Sequence, residues 1–245
     1  MKKTHFTLLF IFSIFTQLFS QQVLISPMKN QANIDFLNSE TSKMSLYMMQ
    51  DATKIPIGNI QTQIKKETEK TYIITTVNMK QSTNKWIDTT VVATQTLKPI
   101  YHSSFNQQRA MVLKFGEHIT GYYLDKSTNV KTEVSEKITT SFFDSNFYPQ
   151  LIRLLPLKNE YSGTISIFDF NPKSKIGVIT ATIKNTQETT IDVHGIEKQV
   201  WKVETTDDIS NNTTVSTYYI EKSTRKILKQ EIDFGSRKML MELEE

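Results

Sequence analysis

The stretch TYIITTVNM, residues 71–79, decides the fold class: Ile73, Thr75, Val77 and Met79 fall at every second position. Successive strand side chains leave opposite faces of a sheet, so β-branched residues at a period of two write a half-buried strand. The period continues outward. In KWIDTTVVATQTL (85–97) one face carries Trp86, Asp88, Thr90 and Val92, and in QVWKVETT (199–206) Trp201 and Val203 alternate with Lys202 and Glu204. Further strands read at RAMVLKFG (109–116), GTISIFDF (163–170), SKIGVITATIKN (174–185), TTIDVHGI (189–196), TVSTYYIE (214–221), KILKQEIDF (226–234) and RKMLMELE (237–244). Many short strands with turn signals between them indicate an all-β chain built on an antiparallel sheet, curved or two-layered.

The corners are legible. Pro172 follows Asn171, and Gly195 and Gly235 stand where tight hairpins need a positive φ. DDISNNTT (207–214) is a polar tip between two strands, and Pro56 with Gly58 marks a turn after a strand in the second half of 22–49. A heptad is written almost twice, YYLDKST at 122–128 and YYIEKST at 218–224. Acid, Ser and Thr side chains bond their own backbone, and the flanks of the two copies do not match. The heptads are therefore two hairpins with one turn solution, and no domain is duplicated. One stretch leaves the period of two: Phe147, Leu151, Leu154 and Leu155 follow helical spacing after Asp144 or Ser145 as cap, and Pro156 ends the run. A short helix is expected over 146–155, its apolar face on the sheet.

The first residues, MKKTHFTLLFIFSIFTQLFSQQ, have the charged start, apolar run and small-residue end of a secretory signal, so residues 1–20 are read as a leader and 21–245 as one β-rich domain. Export to the periplasm, or secretion, is the expected destination. No second apolar run reaches the ~20 residues of a membrane helix. The chain has no Cys, so its core must hold it together without disulfides. With 29 Lys and Arg against 25 Asp and Glu, spread along the chain, no nucleic-acid footprint exists.

Catalytic signatures are missing: no G-x-S-x-G elbow, H-E-x-x-H or glycine-rich phosphate loop occurs, and His102, His118 and His194 lie in separate segments. No enzyme activity, metal or cofactor is read from the chain. A carboxylate pair drawn from two distant strands keeps an envelope hydrolase open as a third reading.

The order of segments carries a resemblance. KIPIGN comes early, TLKPIYHSSF follows, FFDSNFYPQLIRLLPL feeds YSGTISIFDF, and after a Trp strand the chain ends in YYIEKSTRKILKQEIDFGSRKMLMEL. This arrangement resembles the exported bacterial domain-of-unknown-function family numbered 3108 and its relatives in Bacteroidetes-type bacteria. The resemblance implies a fold like the lipoprotein carriers LolA and LolB: a strongly curved antiparallel sheet, a half-barrel or open barrel, with the 146–155 helix covering an apolar interior. It further implies a non-enzymatic envelope protein that binds an apolar ligand, lipid or acylated partner. Trp86, Phe115, Phe143, Phe147, Leu151, Leu154, Trp201 and Tyr219 are the candidates to line such a pocket, although a core without disulfides needs the same side chains. The rival reading is an envelope scaffold or assembly factor that holds another protein by a sheet edge or by the 207–214 tip.

Overall fold

A computed structural model describes residues 24–172 and 175–244, so the expected leader lies outside the described residues. The chain opens with β1 (Leu24–Ile25) and one 3-10 turn (Ile34–Phe36). A first meander follows: β2 (Glu40–Gln50), β3 (Thr53–Lys66), β4 (Lys70–Met79), β5 (Trp86–Ala93), β6 (Pro99–Phe105), β7 (Arg109–Lys114), β8 (His118–Asp125) and β9 (Val130–Lys137). After β10 (Phe143–Asp144) and helix α1 (Tyr148–Ile152) comes a second: β11 (Gly163–Phe170), β12 (Ile176–Val193), β13 (Ile196–Asp207), β14 (Val215–Glu221), β15 (Ile227–Asp233) and β16 (Lys238–Leu243). The last strand, β16, pairs antiparallel with β2, which joins both meanders into one sheet of 16 strands running from β1 and β11 through β16 and β2 to β9. The all-β, curved and open antiparallel sheet expected from the sequence is the fold observed.

Register shows how the sheet curves. Directly paired residues share a face, so one continuous inner face runs through Ile165, Ala181, Thr205 and Ser216 on one wall and through Ile64, Ile73, Thr90, His102 and Leu113 on the other. The inner face of β7 and β8 (Met111, Leu113, Ile119, Tyr123) packs on Phe168 and Phe170, which occupy the side of β11 opposite Ile165 and Ile167. The β7–β9 end therefore wraps behind β11, and the sheet rolls like a scroll without closing edge to edge. A sheet this long cannot stay flat, because the twist of each strand accumulates.

The space inside the roll is filled by the segment 143–157. Phe143, Phe147, Leu151, Ile152 and Leu154 are fully buried between Ile64, Ile73 and Val92 of one wall and Ile165, Ile183, Val203 and Ile220 of the other. Burial of such side chains stabilises by about 1.5–3 kcal/mol each, and this replaces the disulfides the chain lacks.

Several local expectations are corrected. The helix spans five residues. Asp144 accepts from the Asn146 backbone and Ser145 donates to Asp169, so neither caps Tyr148 as a helix start. At the other end, Leu154 and Leu155 bond Leu151 and Ile152 three residues back, which tightens the final turn. Pro56 and Gly58 do not make a turn: they lie inside β3, where the register against β2 shifts between Leu46 and Tyr47, and the reversal falls earlier, at Asp51 (φ 52°). Gly58 is required by contact, since a Cβ there would sit 2.2 Å from the Asn78 carbonyl oxygen. The segments 174–185 and 189–196, read as two strands, are joined in one strand, Ile176–Val193, with a bulge between Ile183 and Asn185, and Ile196 already begins β13.

Candidate functional site

Beside α1 the filling is incomplete. A cavity of about 190 Å³ lies between the helix and the inner face of β2–β4 and β15–β16. Its floor is aliphatic, from Met44, Ile60, Ile64, Ile73, Met241 and Leu243, all placed inward by the period of two. Its roof and rim are polar: Gln150 and Arg153 reach in from the helix segment and Lys226 from the β14–β15 turn. Arg153 is 4 % exposed in its side chain and ion-pairs with Glu40 at 2.5 Å. A buried charge needs such a partner, because leaving it alone costs several kcal/mol. The pairing is incomplete: Arg153 Nε and Gln150 Oε1 are buried and have no hydrogen-bond partner. Buried polar atoms are rarely left so, and two of them on one cavity wall mark it as a surface suited to a polar ligand group.

The plug is pinned to both walls by side-chain bonds. Tyr148 donates its hydroxyl to Asp207 Oδ2 at 2.7 Å, and Arg225 donates to the Leu155 carbonyl at 3.4 Å while lying over the Phe36 ring. The Leu154 carbonyl accepts from the Asn33 backbone at 2.8 Å. Burial, then the neighbouring Tyr218 and the Asp207 carboxylate, raise the pKa of Tyr148 well above that of a free phenol, so the hydroxyl stays a donor. The 207–214 tip is occupied in this work: Asp207 also accepts from the Ser210 backbone, and Asp208 accepts from Thr180.

At its start the plug meets β5 and β6 through polar groups. His102, 6 % exposed, lies with Nδ1 3.0 Å from Asp144 Oδ1, and Asn146 donates to Thr90. Burial opposes a charged ring. The Asp144 carboxylate, with Asp88 behind it, outweighs burial and raises the His102 pKa above the usual histidine value. Asp169 is raised too, by burial first, then by the nearby Asp144 against the Ser145 hydrogen bond. His102 Nε2 and Asp144 Oδ2 have no hydrogen-bond partner.

The eight residues proposed as pocket lining are spread differently. Phe143, Phe147, Leu151, Leu154 and Trp201 belong to one core cluster, as side chains that fill the interior. Phe115 packs edge-on to Phe142 and Phe168 in the second cluster. Tyr219 neighbours Tyr218 in β14 and so lies on the outer face, bonded to Glu231 at 3.2 Å, and burial and that carboxylate push its pKa up to about 12. Trp86 stands at the rim of the roll, 39 % exposed. None of the eight lines the 190 Å³ cavity. The cavity's own residues are the aliphatic and methionine positions of β2–β4 and β16, visible in the sequence only as alternation. The His102–Asp144 pair went unread because its members are 42 residues apart. The available signal was the run of polar residues at inward positions, Asp88, Thr90, His102 and Ser104.

Among the described residues no group of three or more His, Cys, Asp or Glu could hold a metal ion, and no helix is long and apolar enough to cross a membrane. No curated protein and no solved structure matches the chain. A family model does match, over residues 43–242, a span from β2 to β16 that takes in both walls, the plug and the cavity. The chain belongs to the family described as protein of unknown function (DUF3108).

Proposed function

We propose that the protein is an exported, non-enzymatic binder of an amphiphile, a lipid or acylated partner of the cell envelope, taken up in the interior of the roll. One observation carries the reading: the cavity beside α1 combines an aliphatic floor with a polar rim of Lys226, Gln150 and the Arg153–Glu40 ion pair. An acyl chain matches the floor and an anionic or hydrogen-bonding head matches the rim. Methionines at Met44 and Met241 suit a floor that adapts to chains of different shape. At about 190 Å³ the cavity is smaller than the roughly 300–1,000 Å³ of sites that enclose a ligand, so uptake requires the plug to shift. The plug has one weakly paired end, since β10 contributes only two paired residues to the sheet, while its far end is tied by the Asn33 backbone bond to the Leu154 carbonyl, so a shift would start at β10. A carrier of the LolA and LolB type, with helical segments covering a curved sheet, is the functional analogy.

The assembly-factor reading has less support: the 207–214 tip bonds the plug and β12, and edge strand β9 carries Lys131, Glu133, Glu136 and Lys137, charges that discourage pairing.

Native mass spectrometry and lipid extraction of protein purified from its own envelope test the proposal. A bound acyl lipid is expected. Tyr148→Phe, which releases the plug from Asp207, is expected to speed both amide exchange over 143–157 and lipid uptake. A clean apo mass, together with no uptake of lipid by Tyr148→Phe, sinks the reading.

A further inference from the structure

A second opening lies at the rim of the roll, away from α1. Its volume is about 610 Å³, within the range of sites that enclose small ligands. Trp86, Arg109, Tyr123 and Asp125 line it from the inner faces of β5, β7 and β8, and the β4–β5 and β6–β7 loops form its lips with Asn84, Asn106, Gln107 and Gln108.

The exposed indole is held rigidly. Trp86 Nε1 donates to Asp88 Oδ1 at 2.7 Å and to Ser104 Oγ at 3.2 Å. The Arg109 guanidinium lies 5.7 Å from the indole centre and donates through Nε to the same Ser104 oxygen at 3.0 Å. A large apolar ring left 39 % in water would normally turn inward or move freely, and here it is fixed by a buried carboxylate and a hydroxyl. The lips are tied as well. Gln107 Nε2 donates to Ser82 Oγ at 3.0 Å, linking the two loops, and Asn106 Oδ1 accepts from the Gln108 and Arg109 backbones. Lys126 donates to the Asn106 carbonyl from the β8–β9 side. Binding to such a preformed site loses little side-chain entropy.

The chemistry selects the ligand. Primary amides, a guanidinium and a carboxylate around one aromatic platform offer alternating donors and acceptors, which vicinal hydroxyls match because each donates and accepts. The flat indole meets the C–H face of a pyranose ring. An acyl chain offers no donors or acceptors to a lining this polar, and a phosphate track would need an excess of cations, whereas the lining sets Arg109 beside the Asp125 carboxylate. We infer that this cleft is a saccharide-binding site, with Trp86 as the stacking platform and the amides of the 82–84 and 106–108 loops as the hydroxyl-reading lips. It is separate from the interior cavity, so the protein would hold a glycan at its rim whatever occupies its core.

The test uses the full mature chain carrying Trp201→Phe, which leaves Trp86 as the single fluorescent indole. Chitotriose, cellotriose and maltotriose are titrated, followed by a glycan array. A saturable blue shift with one saccharide class is expected, with affinity weakened at least about tenfold by Trp86→Ala, measured by calorimetry on the otherwise native chain. The paired variant Gln107→Ala with Gln108→Ala, which leaves the Trp86 anchor in place, is expected to weaken it about fivefold with the circular dichroism spectrum unchanged. No saccharide binding to the native chain in either format, affinity unchanged in the lip variant, or a blue shift produced only by palmitate or by a peptide library would overturn the assignment.

Discussion

The two heptads YYLDKST and YYIEKST fold into the same turn and point in opposite directions. Both reverse through four residues after the acid, and both place the fourth in the left-handed region, Asn129 at φ 56° and Arg225 at φ 61°. In the first, Asp125 accepts from the Ser127 backbone and hydroxyl; in the second, Glu221 accepts from the Thr224 hydroxyl. Their strands differ in facing. In β8 the second tyrosine, Tyr123, and the acid lie on the inner face, whereas in β14 the first tyrosine, Tyr218, lies inward with Ile220, so Glu221 faces out toward Lys198. A slip of one residue exchanges every side chain between faces. Two tyrosines in tandem tolerate either choice, because each has an apolar body and a polar tip. The turn is therefore set locally, and the facing is set by what each hairpin packs against: the back of β11 in one case, the plug in the other.

Truncating equivalent tyrosines separates the two facings most strongly. Tyr218, 1 % exposed among Val203, Ile220 and Tyr148, is expected to lose about 3–4 kcal/mol of stability as Tyr218→Ala. Its heptad counterpart Tyr122, half-buried under Lys131, is expected to lose less than about 1 kcal/mol as Tyr122→Ala. At the next position the order inverts: Tyr123→Ala is expected to cost about 3 kcal/mol, against about 1 kcal/mol for Tyr219→Ala. Urea unfolding of the four variants measures this. Equal losses at equivalent heptad positions would mean that both copies share one facing.

What could be read in advance follows the same division between local and distant causes. Strands were legible because a sheet with one buried face prints a period of two, as in Ile64 and Ile73 against Lys65 and Tyr72. Turns were legible where one residue had to supply a positive φ, as at His194 and Gly195 between β12 and β13. Pro56 and Gly58 misled because a bulge and a turn call for the same residues. The helix was read too long because Asp144, Ser145, Leu154 and Leu155 are committed to partners elsewhere in the roll. The cavity by α1 and the His102–Asp144 pair were illegible for that reason too: both exist only where the plug touches walls distant in sequence.

The acids of the two heptads differ as well: Asp125 faces in and Glu221 faces out. Burial alone would raise the Glu221 pKa. The Thr224 hydroxyl, then Lys198, outweigh it and hold the carboxyl below the usual glutamate value. A carboxylate whose folded pKa is depressed adds stability that is full above its unfolded value, near 4.5, and is lost as pH falls through the folded one. Glu221→Gln is expected to cost about 1 kcal/mol at pH 7, with the gap to wild type closing as pH falls below that of an ordinary glutamate. Thermal unfolding across pH checks it. A gap independent of pH would show that Glu221 acts by packing, as a neutral side chain would.

The smallest effect isolates the turn from its surroundings. Asn129 and Arg225 occupy the same left-handed position, which glycine adopts without strain, so replacement by glycine removes the same local penalty from each and adds the same freedom to the unfolded chain. Asn129→Gly is expected to change stability by no more than about 0.5 kcal/mol, since no side-chain bond holds the turn at that residue in the way Asp125 does. Arg225→Gly forfeits more: the guanidinium lies 4.9 Å from the Phe36 ring centre and reaches the Leu155 carbonyl at the end of the plug. A loss of about 1 kcal/mol is expected, together with faster amide exchange over 153–157. If both glycine variants behaved alike, the second heptad would be only a turn; a difference confined to Arg225 ties that turn to the segment that fills the roll.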